Sequence, residues 1–430
     1  MQHYKAEMWD KMQHTMEKYN DHMIHCYLEF ETELDFEALK KAFFNAVLKI
    51  PVLRSRYEWN FFRARWTQRY FNIKDCVKLL EVKSNPERPC QEFLTQKLDE
   101  RKEQIKALVV RHKGKDTLNI LINHMVMDGA DAKLTVKLIA DSYTDILNGG
   151  SGDIPFKNGI RDDRQIFSAF DKKEKKRVQK LISYSKKSKD KICFPFEKPF
   201  ETYQNLKPFI KKMIISEEDF LRAKKRLKEL NYTVNDLVVA CFYRAIHAVA
   251  DIPPNKALGV PCMVDLRRYM PNKESLGATN LTSMIVCNIG KDIGGDIFET
   301  IEKVKEDMDG LKSNYPGLHG LPLLRFAFSF MPYAVGKFLV GTFFKNPLLG
   351  ISNIGLIKES CVNFNGHSPT YLYYTGSIKY PPYYQLALTT YKNQITFTTA
   401  LYGTDKDRKT AKELLEKIKS EFIKFSKGVK

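Results

Sequence analysis

The residues of this sequence whose types and spacing could do chemistry lie in one short stretch, residues 123–129, which reads NHMVMDG. His124 can take up a proton near neutral pH, because an imidazole has an unperturbed pKa of about 6.5. A neutral imidazole can therefore act as a general base toward a hydroxyl or an amine. Asp128 follows four residues later, and Gly129 permits a tight backbone where a side chain would obstruct.

Two other interpretations of this stretch require no catalysis. His124 could be a buried structural histidine that is hydrogen-bonded within the core, or His124 and Asp128 could bind a metal ion together. The metal interpretation lacks a nearby third ligand. His22 and His25, three residues apart on a predicted strand, point to opposite faces and are not expected to form a ligand pair. We therefore expect no metal site.

The elements around the stretch place His124 at the end of a strand. Aliphatic residues alternate over 118–122, which is typical of a strand with one buried face. By the same period of two residues, His124 continues that face and Asn123 points to the other one. Residues 130–147 then have the pattern of a helix. The imidazole is thus expected to leave the end of a buried strand face.

The whole chain has a mixed α and β pattern without the regular βαβ alternation of a parallel sheet. Its 430 residues suffice for two globular parts. We predict an N-terminal subdomain over 1–160 that carries the HxxxDG stretch and a C-terminal subdomain over 206–430. The Gly, Pro and Lys-rich residues 161–205 form a basic crossover between them.

Composition narrows the class of protein. Hydrophobic residues make up 43% and aromatic residues 12% of the chain, which is far from the composition of disordered proteins. The 8 cysteines include no CxxC pair and are expected to be reduced and buried. Because we find neither a signal-like N-terminus nor an apolar run of a spanning length, we expect a cytoplasmic protein. The net charge of +19 favours polyanionic partners without choosing among them.

Five stretches, one of which contains residues 123–129, carry a family pattern in a fixed order. They are LDFEALKKAFFNAVLKIPVLRSRY at 34–57, INHMVMDGA at 122–130, YTVNDLVVACFYRAI at 232–246, VPCMVDLRRYMP at 260–271 and GISNIGLI at 350–357. Together they resemble the CoA-dependent acyltransferase superfamily with the chloramphenicol-acetyltransferase-like fold. That superfamily includes condensation domains of peptide synthetases, plant acyltransferases, alcohol acetyltransferases and wax ester synthases. The chain departs from the pattern at Asn123, where the first histidine of HHxxxDG usually stands, and at Ile50.

The resemblance implies an α/β (mixed α+β) fold in which two similar half-domains form a V with a tunnel between them. It implies that His124 is the catalytic base and that activity survives the change to Asn123. It further implies that Asp128 points away from the tunnel and pairs with an arginine, which by position is Arg267. Asp128, Gly129 and Arg267 are then organising residues. Residues that could face the tunnel or donate to an oxyanion are Asn235, Ser352 and Asn353.

The expected activity is direct transfer of an acyl group from an acyl-CoA thioester to an alcohol or amine. The alternatives are a free-standing condensation-type enzyme that acts on carrier-protein-bound substrates, and a non-catalytic relative that binds a lipid or a protein. We expect no permanently bound cofactor, with acyl-CoA as a co-substrate, and no nucleic-acid partner. Residues 320–349 are unusually apolar. They predict either core helices under the tunnel or a face that contacts an anionic membrane or a long acyl chain, which would make the protein peripheral at a membrane.

Overall fold

The computed structural model describes residues 2–157, 159–181, 206–273, 277–344 and 346–429. The strands within these ranges are β1 (His3–Lys5), β2 (Met23–Glu29), β3 (Ser55–Trp59), β4 (Ala64–Gln68), β5 (Val77–Glu81), β6 (Ile105–His112), β7 (Lys115–Asn123), β8 (Lys207–Ile215), β9 (Val260–Asp265), β10 (Thr282–Cys287), β11 (Ile351–Leu356), β12 (Tyr371–Thr375), β13 (Leu386–Tyr391) and β14 (Gln394–Gly403). The helices are α1 (Met8–Thr15), α2 (Phe36–Lys49), α3 (Glu87–Leu94), α4 (Gly129–Leu147), α5 (Lys172–Gln179), α6 (Glu217–Glu229), α7 (Val234–Val249), α8 (Ile297–Lys312), α9 (Leu321–Phe330), α10 (Tyr333–Phe343) and α11 (Asp405–Lys427).

Two large mixed sheets organise these elements. The first has the strand order β12-β2-β7-β6-β5 and the second has the order β10-β9-β11-β13-β14-β8. The strands pair antiparallel except for β5 with β6 and for β11 with its two neighbours, which pair parallel. A small third sheet has the order β1-β4-β3. The mixed α/β class predicted from the sequence is therefore confirmed.

Helices cover each large sheet. In the first half α2 packs against α4, and in the second half α7 packs against both α8 and α11. Side-chain caps begin several of these helices: Asp35 accepts a hydrogen bond from the backbone N of Ala38, and Thr233 and Asp236 form a reciprocal capping box at α7. Asp236, which lies in a family-like motif, therefore caps a helix.

The two large sheets meet at β12, a strand from late in the chain that lies at the edge of the first sheet. It pairs antiparallel with β2, so that Tyr374 lies opposite Cys26. The hydroxyl of Thr389, on β13 of the second sheet, accepts from the backbone N of Tyr374 at 3.0 Å and donates to its carbonyl at 2.9 Å. One buried side chain thus satisfies both backbone groups of a residue in the other sheet.

Several expectations about the rest of the chain can be compared with the structure. Of the basic crossover, 182–205 lies outside the described residues, and the part before it contains a 3₁₀ turn and α5. The apolar stretch 320–349 forms α9 and α10, and Lys345 within it is not described. Within the described ranges, no helix has both the length and the apolar character needed to cross a membrane.

Thr389→Val should lower the free energy of unfolding by about 1–3 kcal/mol, because the isosteric change leaves the buried N–H and C=O of Tyr374 without a partner. Thr390→Val on the other face of β13 is the matched control and should change stability by a small fraction of that. Urea unfolding of both variants measures the difference. Equal stability of the two variants would contradict the proposed link between the sheets.

Candidate active site

A cavity of about 250 Å³ lies between the two halves of the molecule. Its walls come from α1, from the turn after β7, from β9 and β11, and from residues 375–385. His124 lines it, and so do Gly129, Ser352, Asn353 and Lys379. The structure therefore brings four of the sequence-predicted residues to one cavity, although His124 and Gly129 precede Ser352 and Asn353 by more than 220 positions.

Strand β7 and the turn after it hold the backbone of His124. The backbone N of His124 donates to the carbonyl of His22 at 2.6 Å, which ties the turn to the start of β2. The buried side chain of Asn123 accepts from the backbone N of Met125 at 2.9 Å and donates to Gln104 Oε1 at 2.7 Å. Asn123 therefore shapes the turn that carries His124.

The imidazole of His124 has one hydrogen-bond partner that the sequence analysis missed, Asn280. The Nδ2 of Asn280 donates to the carbonyls of His124 and Met125, at 2.8 and 3.1 Å, and these two acceptors fix the orientation of the amide. Its Oδ1 then faces Nδ1 of His124 at 3.1 Å and can only accept. His124 is therefore protonated on Nδ1, and its Nε2 keeps the lone pair that a general base needs.

Charge and burial set the basicity of His124. Burial lowers its pKa below the ordinary 6.5, and the positive charge of Lys379 lowers it further, whereas the nearby carboxylate of Asp128 raises it in part. The net direction is downward. The imidazole is therefore neutral, and able to accept a proton, at physiological pH.

Asp128 forms a buried ion pair with Arg267. Arg267 donates from Nη1 to Asp128 Oδ2 at 2.8 Å and from Nη2 to Oδ1 at 3.1 Å, which is the two-pronged geometry that a guanidinium favours. Asp128 also caps α4, since its side chain accepts from the backbone N of Ala130 and Asp131. Burial would raise the pKa of Asp128, but the charge and hydrogen bonds of Arg267 outweigh that effect and hold the pKa below its usual value.

A second carboxylate, Asp131, also contacts Arg267, and the sequence analysis did not identify it. Its Oδ2 lies 2.9 Å from Arg267 Nη2 and accepts from the backbone N of Thr279 at 2.7 Å. Burial raises the pKa of Asp131 to about 6, against the opposing effect of Arg267. The same two carboxylates raise the pKa of Arg267. One arginine thus forms ion pairs with two buried carboxylates.

These carboxylates also hold the backbone on both sides of Asn280. Asp131 accepts from the N–H of Thr279, and Asp128 Oδ2 accepts from the N–H of Leu281 at 2.8 Å. Asn280 is the residue between them, so its backbone has little freedom to move. Asp128 therefore acts on His124 through Asn280, which supports its assignment as an organising residue.

Gly129 and the other predicted residues take different positions. A Cβ on Gly129 would lie 3.3 Å from Ile354 Cδ1, so a side chain there would crowd β11. Ser352 and Asn353 lie on β11 and line the cavity. Asn235 is exposed and does not line the cavity; its Oδ1 accepts from Asn353 Nδ2 at 2.6 Å. Its contact therefore orients Asn353.

Lys379 contributes an ammonium group that the sequence analysis also missed. Burial lowers its pKa to about 8, with Asp21 opposing. In the part of the chain that the structure describes, no carboxylate oxygen lies within 4.0 Å of its Nζ. Asp21 is itself fully buried, and burial raises its pKa to about 7. At neutral pH the cavity therefore contains a cation close enough to affect His124.

Comparisons with known proteins define the class of fold. The family described as WS/DGAT C-terminal domain matches residues 278–425, about a third of the chain. No curated protein matches the sequence. The epimerization domain of the third module of tyrocidine synthetase B superposes with a TM-score of 0.72 at 14% identity and covers 99% of this chain and 96% of its own.

Two acyltransferases superpose over similar lengths. The trichothecene 15-O-acetyltransferase TRI3 from Fusarium sporotrichioides gives a TM-score of 0.68 at 12% identity, covering 98% of this chain and 95% of its own. The wax ester synthase/diacylglycerol acyltransferase from Marinobacter aquaeolei VT8 gives 0.60 at 14% identity, covering 99% and 100%. The chain has the two-lobed fold that these solved structures share, so the chloramphenicol-acetyltransferase-like fold predicted from the sequence motifs is confirmed.

Arg267→Ala should lower the free energy of unfolding by about 3–5 kcal/mol, because it leaves the buried carboxylates of Asp128 and Asp131 without their cation. Asp128→Ala should also lower it, but by less, because it removes the cap of α4 while Arg267 keeps Asp131 as a partner. The double variant should cost less than the sum. Asp265→Asn is the control: its half-exposed carboxylate also contacts Arg267, and its loss should cost less than about 1 kcal/mol. Thermal and urea unfolding measure all four. Additive costs of the two single variants would show that Asp128 and Arg267 are not coupled.

The pH profile tests the state of His124. A general base must be neutral, and the pKa of His124 lies below 6.5. For a reaction that uses His124 as its base, kcat/KM should therefore fall on the acid side only below pH 6.5. Lys379→Met removes a charge that lowers this pKa, so the acid limb should move to higher pH. Lys358→Met, at an exposed position, is the control and should leave the limb unchanged. An unmoved limb in Lys379→Met would contradict the electrostatic coupling.

Proposed function

We propose that this protein transfers an acyl group from an acyl-CoA thioester to an alcohol or an amine, with His124 as the general base. One observation carries the proposal: the amide of Asn280 fixes the His124 tautomer whose Nε2 can accept a proton, beside a cavity between the two halves. The superposition with acyltransferases supports the class of reaction. The superposition does not identify the acyl donor or the acceptor, because these depend on the shape of the cavity.

In the proposed step, Nε2 of His124 takes the proton of the acceptor as its oxygen or nitrogen attacks the thioester carbonyl. The new C–O or C–N bond forms and the carbonyl oxygen becomes an oxyanion. The C–S bond then breaks, the carbonyl reforms, and the imidazolium returns its proton to the departing thiolate. Histidine thus ends the cycle neutral, and no oxidant or metal is required to balance the reaction.

Three cavity residues could stabilise the oxyanion. Ser352 offers a hydroxyl, Asn353 offers an amide N–H, and Lys379 offers a positive charge. Of these, Asn353 already donates to Asn235, so its amide orientation is set before a substrate binds. Lys379 remains charged at neutral pH because its pKa is about 8. A charge fixed in a partly enclosed cavity is an effective stabiliser of a developing negative charge.

Direct transfer agrees with the state of the cysteines. Burial raises the pKa of the Cys26, Cys241 and Cys262 thiols, which disfavours the thiolate that a covalent acyl-enzyme would need. None of the cavity-lining residues is a cysteine. The acyl group therefore passes from thioester to acceptor in a single complex. The positive net charge of +19 suits a donor with phosphate groups, whether these belong to CoA or to a carrier protein's prosthetic arm.

His124→Ala should lower the rate of acyl transfer by about 10²- to 10⁴-fold, the effect expected from a lost general base. The measurement is thiol release from a panel of acyl-CoAs in the presence of alcohols or amines. His367→Ala, at an exposed histidine, is the matched control and should retain full activity. The unfolding midpoint of His124→Ala should stay near that of wild type, which separates a lost base from a lost fold.

The same panel distinguishes the rival functions. Release of thiol only from acyl-carrier protein, and not from acyl-CoA, would identify a condensation-type enzyme. No release from any thioester, by a folded wild-type protein, would identify a non-catalytic relative. Full turnover by a folded His124→Ala protein would refute the assigned base in either case.

A further inference from the structure

An exposed apolar surface lies on α9, α10 and the tip of the β3–β4 hairpin. Its large side chains are exposed to solvent: Phe62, Phe330 and Phe343 are 71%, 79% and 73% exposed. We call this surface the aromatic face, and its members are Trp59, Phe61, Phe62, Leu323, Phe326, Phe330, Phe338 and Phe343. Single exposed apolar residues are ordinary, but a group of eight within two neighbouring segments marks an interaction surface.

The two segments of the aromatic face are joined by backbone hydrogen bonds. The carbonyls of Phe61 and Phe62 accept from the backbone N of Ala334 and Tyr333, at 2.9 and 3.0 Å. The hairpin tip is itself fixed by Asn60, whose Oδ1 accepts from the N–H groups of Phe62 and Arg63 at 3.0 Å each. The tip is thus attached to the start of α10, and its two phenyl rings belong to the same surface as the helices.

The inner sides of the helices are anchored, so the exposure is not a consequence of loose packing. On α9 the residues Leu324 and Phe328 are buried in the first core, and the carbonyl of Phe328 accepts from Lys11 Nζ at 2.7 Å. The outward residues Leu323, Phe326 and Phe330 recur at helical spacing on the other side. Helix α9 is therefore apolar on two sides: one side packs inward and the other faces outward.

Residues 59–65 and 321–343 contain four cations, Arg63, Arg65, Arg325 and Lys337, and no aspartate or glutamate. Three of the cations form ion pairs with carboxylates outside these ranges: Arg65 with Glu58, Arg325 with Asp163 and Lys337 with Glu17. Arg63 is exposed and has no carboxylate partner among the residues that the structure describes. Lys337 lies 5.0 Å from the ring centroid of Trp59, and Lys18 donates to the carbonyl of Gly341 on α10 at 2.7 Å. Aromatic side chains bordered by cations match the interface of a bilayer that contains anionic lipid.

The aromatic face adjoins the catalytic cavity. The residues that follow α10, Phe344, Asn346 and Pro347, line that cavity, and so do Trp9 and Met12 of α1. Helix α1 packs against both α9 and α10. A lipid surface that covered the aromatic face would therefore lie beside the cavity and not at the far side of the molecule.

We propose that the aromatic face is a docking surface for a lipid bilayer with anionic headgroups. The phenyl rings enter the boundary between headgroups and acyl chains, and the exposed cations Arg63 and Lys18 contact the anionic headgroups. The inference does not rest on the proposed acyl transfer, because it needs no reaction at His124. If both hold, docking places the cavity next to apolar substrates dissolved in the membrane.

Flotation with vesicles of phosphatidylcholine alone, and of phosphatidylcholine with phosphatidylserine, tests the proposal on the full chain. Wild-type protein should float with the anionic vesicles, float less with the neutral ones, and detach as salt is raised. The variant with Phe62→Ser, Phe330→Ser and Phe343→Ser should lose about tenfold or more of its partitioning, because three rings no longer leave water. The matched control carries Tyr70→Ser, Leu221→Ser and Leu230→Ser, three exposed apolar positions elsewhere, and should float as wild type does.

Three results would overturn the proposal. One is wild-type protein that does not float with anionic vesicles at low salt. Another is an equal loss of flotation in the control, which would mean that general hydrophobicity and not this surface is responsible. The third is a wild-type dimer in solution that the Phe62, Phe330 and Phe343 variant converts to a monomer, since the face would then be covered by a second copy. Circular dichroism of both triple variants checks that they are folded.

Discussion

The buried cluster of Asp128, Asp131 and Arg267 is the interaction on which the arrangement around His124 depends. It joins the start of α4 in the first half to the turn after β9 in the second, so the two walls of the cavity are fixed where they meet. Because burial is costly for each charge, the cluster holds only while all partners are present. Burial raises the pKa of Asp131 to about 6, and the neighbouring charge of Asp128 adds to that effect while Arg267 opposes it.

The cluster orders the surroundings of His124 although none of its three residues lines the cavity. Its carboxylates accept from the N–H groups before and after Asn280, and Asn280 in turn selects the tautomer of His124. The ion pair therefore helps to hold the residue whose amide leaves Nε2 of His124 unprotonated. This arrangement gives a physical reason for an aspartate four residues after the histidine: at that spacing it can cap α4 and still reach the segment that carries Asn280.

Local patterns in the sequence were enough to predict one part of this arrangement. The strand that leads to His124 and the helix after it follow from local patterns, whereas the pairing of Asp128 with Arg267 was implied by the family resemblance; the structure contains each of them. Asn280 and Lys379 could not be predicted, because their roles come from contacts across more than 150 residues of chain. The exposure of α9 and α10 could not be predicted from local sequence patterns either, because an apolar helix has the same pattern in a core and on a surface.

The identity of the partner of His124 bears on which reaction the fold performs. The fold itself does not determine the reaction, because a domain described as an epimerization domain and acyltransferases share it. A carboxylate on Nδ1 would raise the pKa of the imidazole and stabilise its protonated form, whereas the neutral amide of Asn280 orients it with a much weaker effect on charge. A base of low pKa gives its proton back readily. In acyl transfer the imidazolium must give its proton back within the same complex, because the departing thiolate needs the proton that the acceptor lost. A neutral partner for His124 suits both the uptake and the return of this proton.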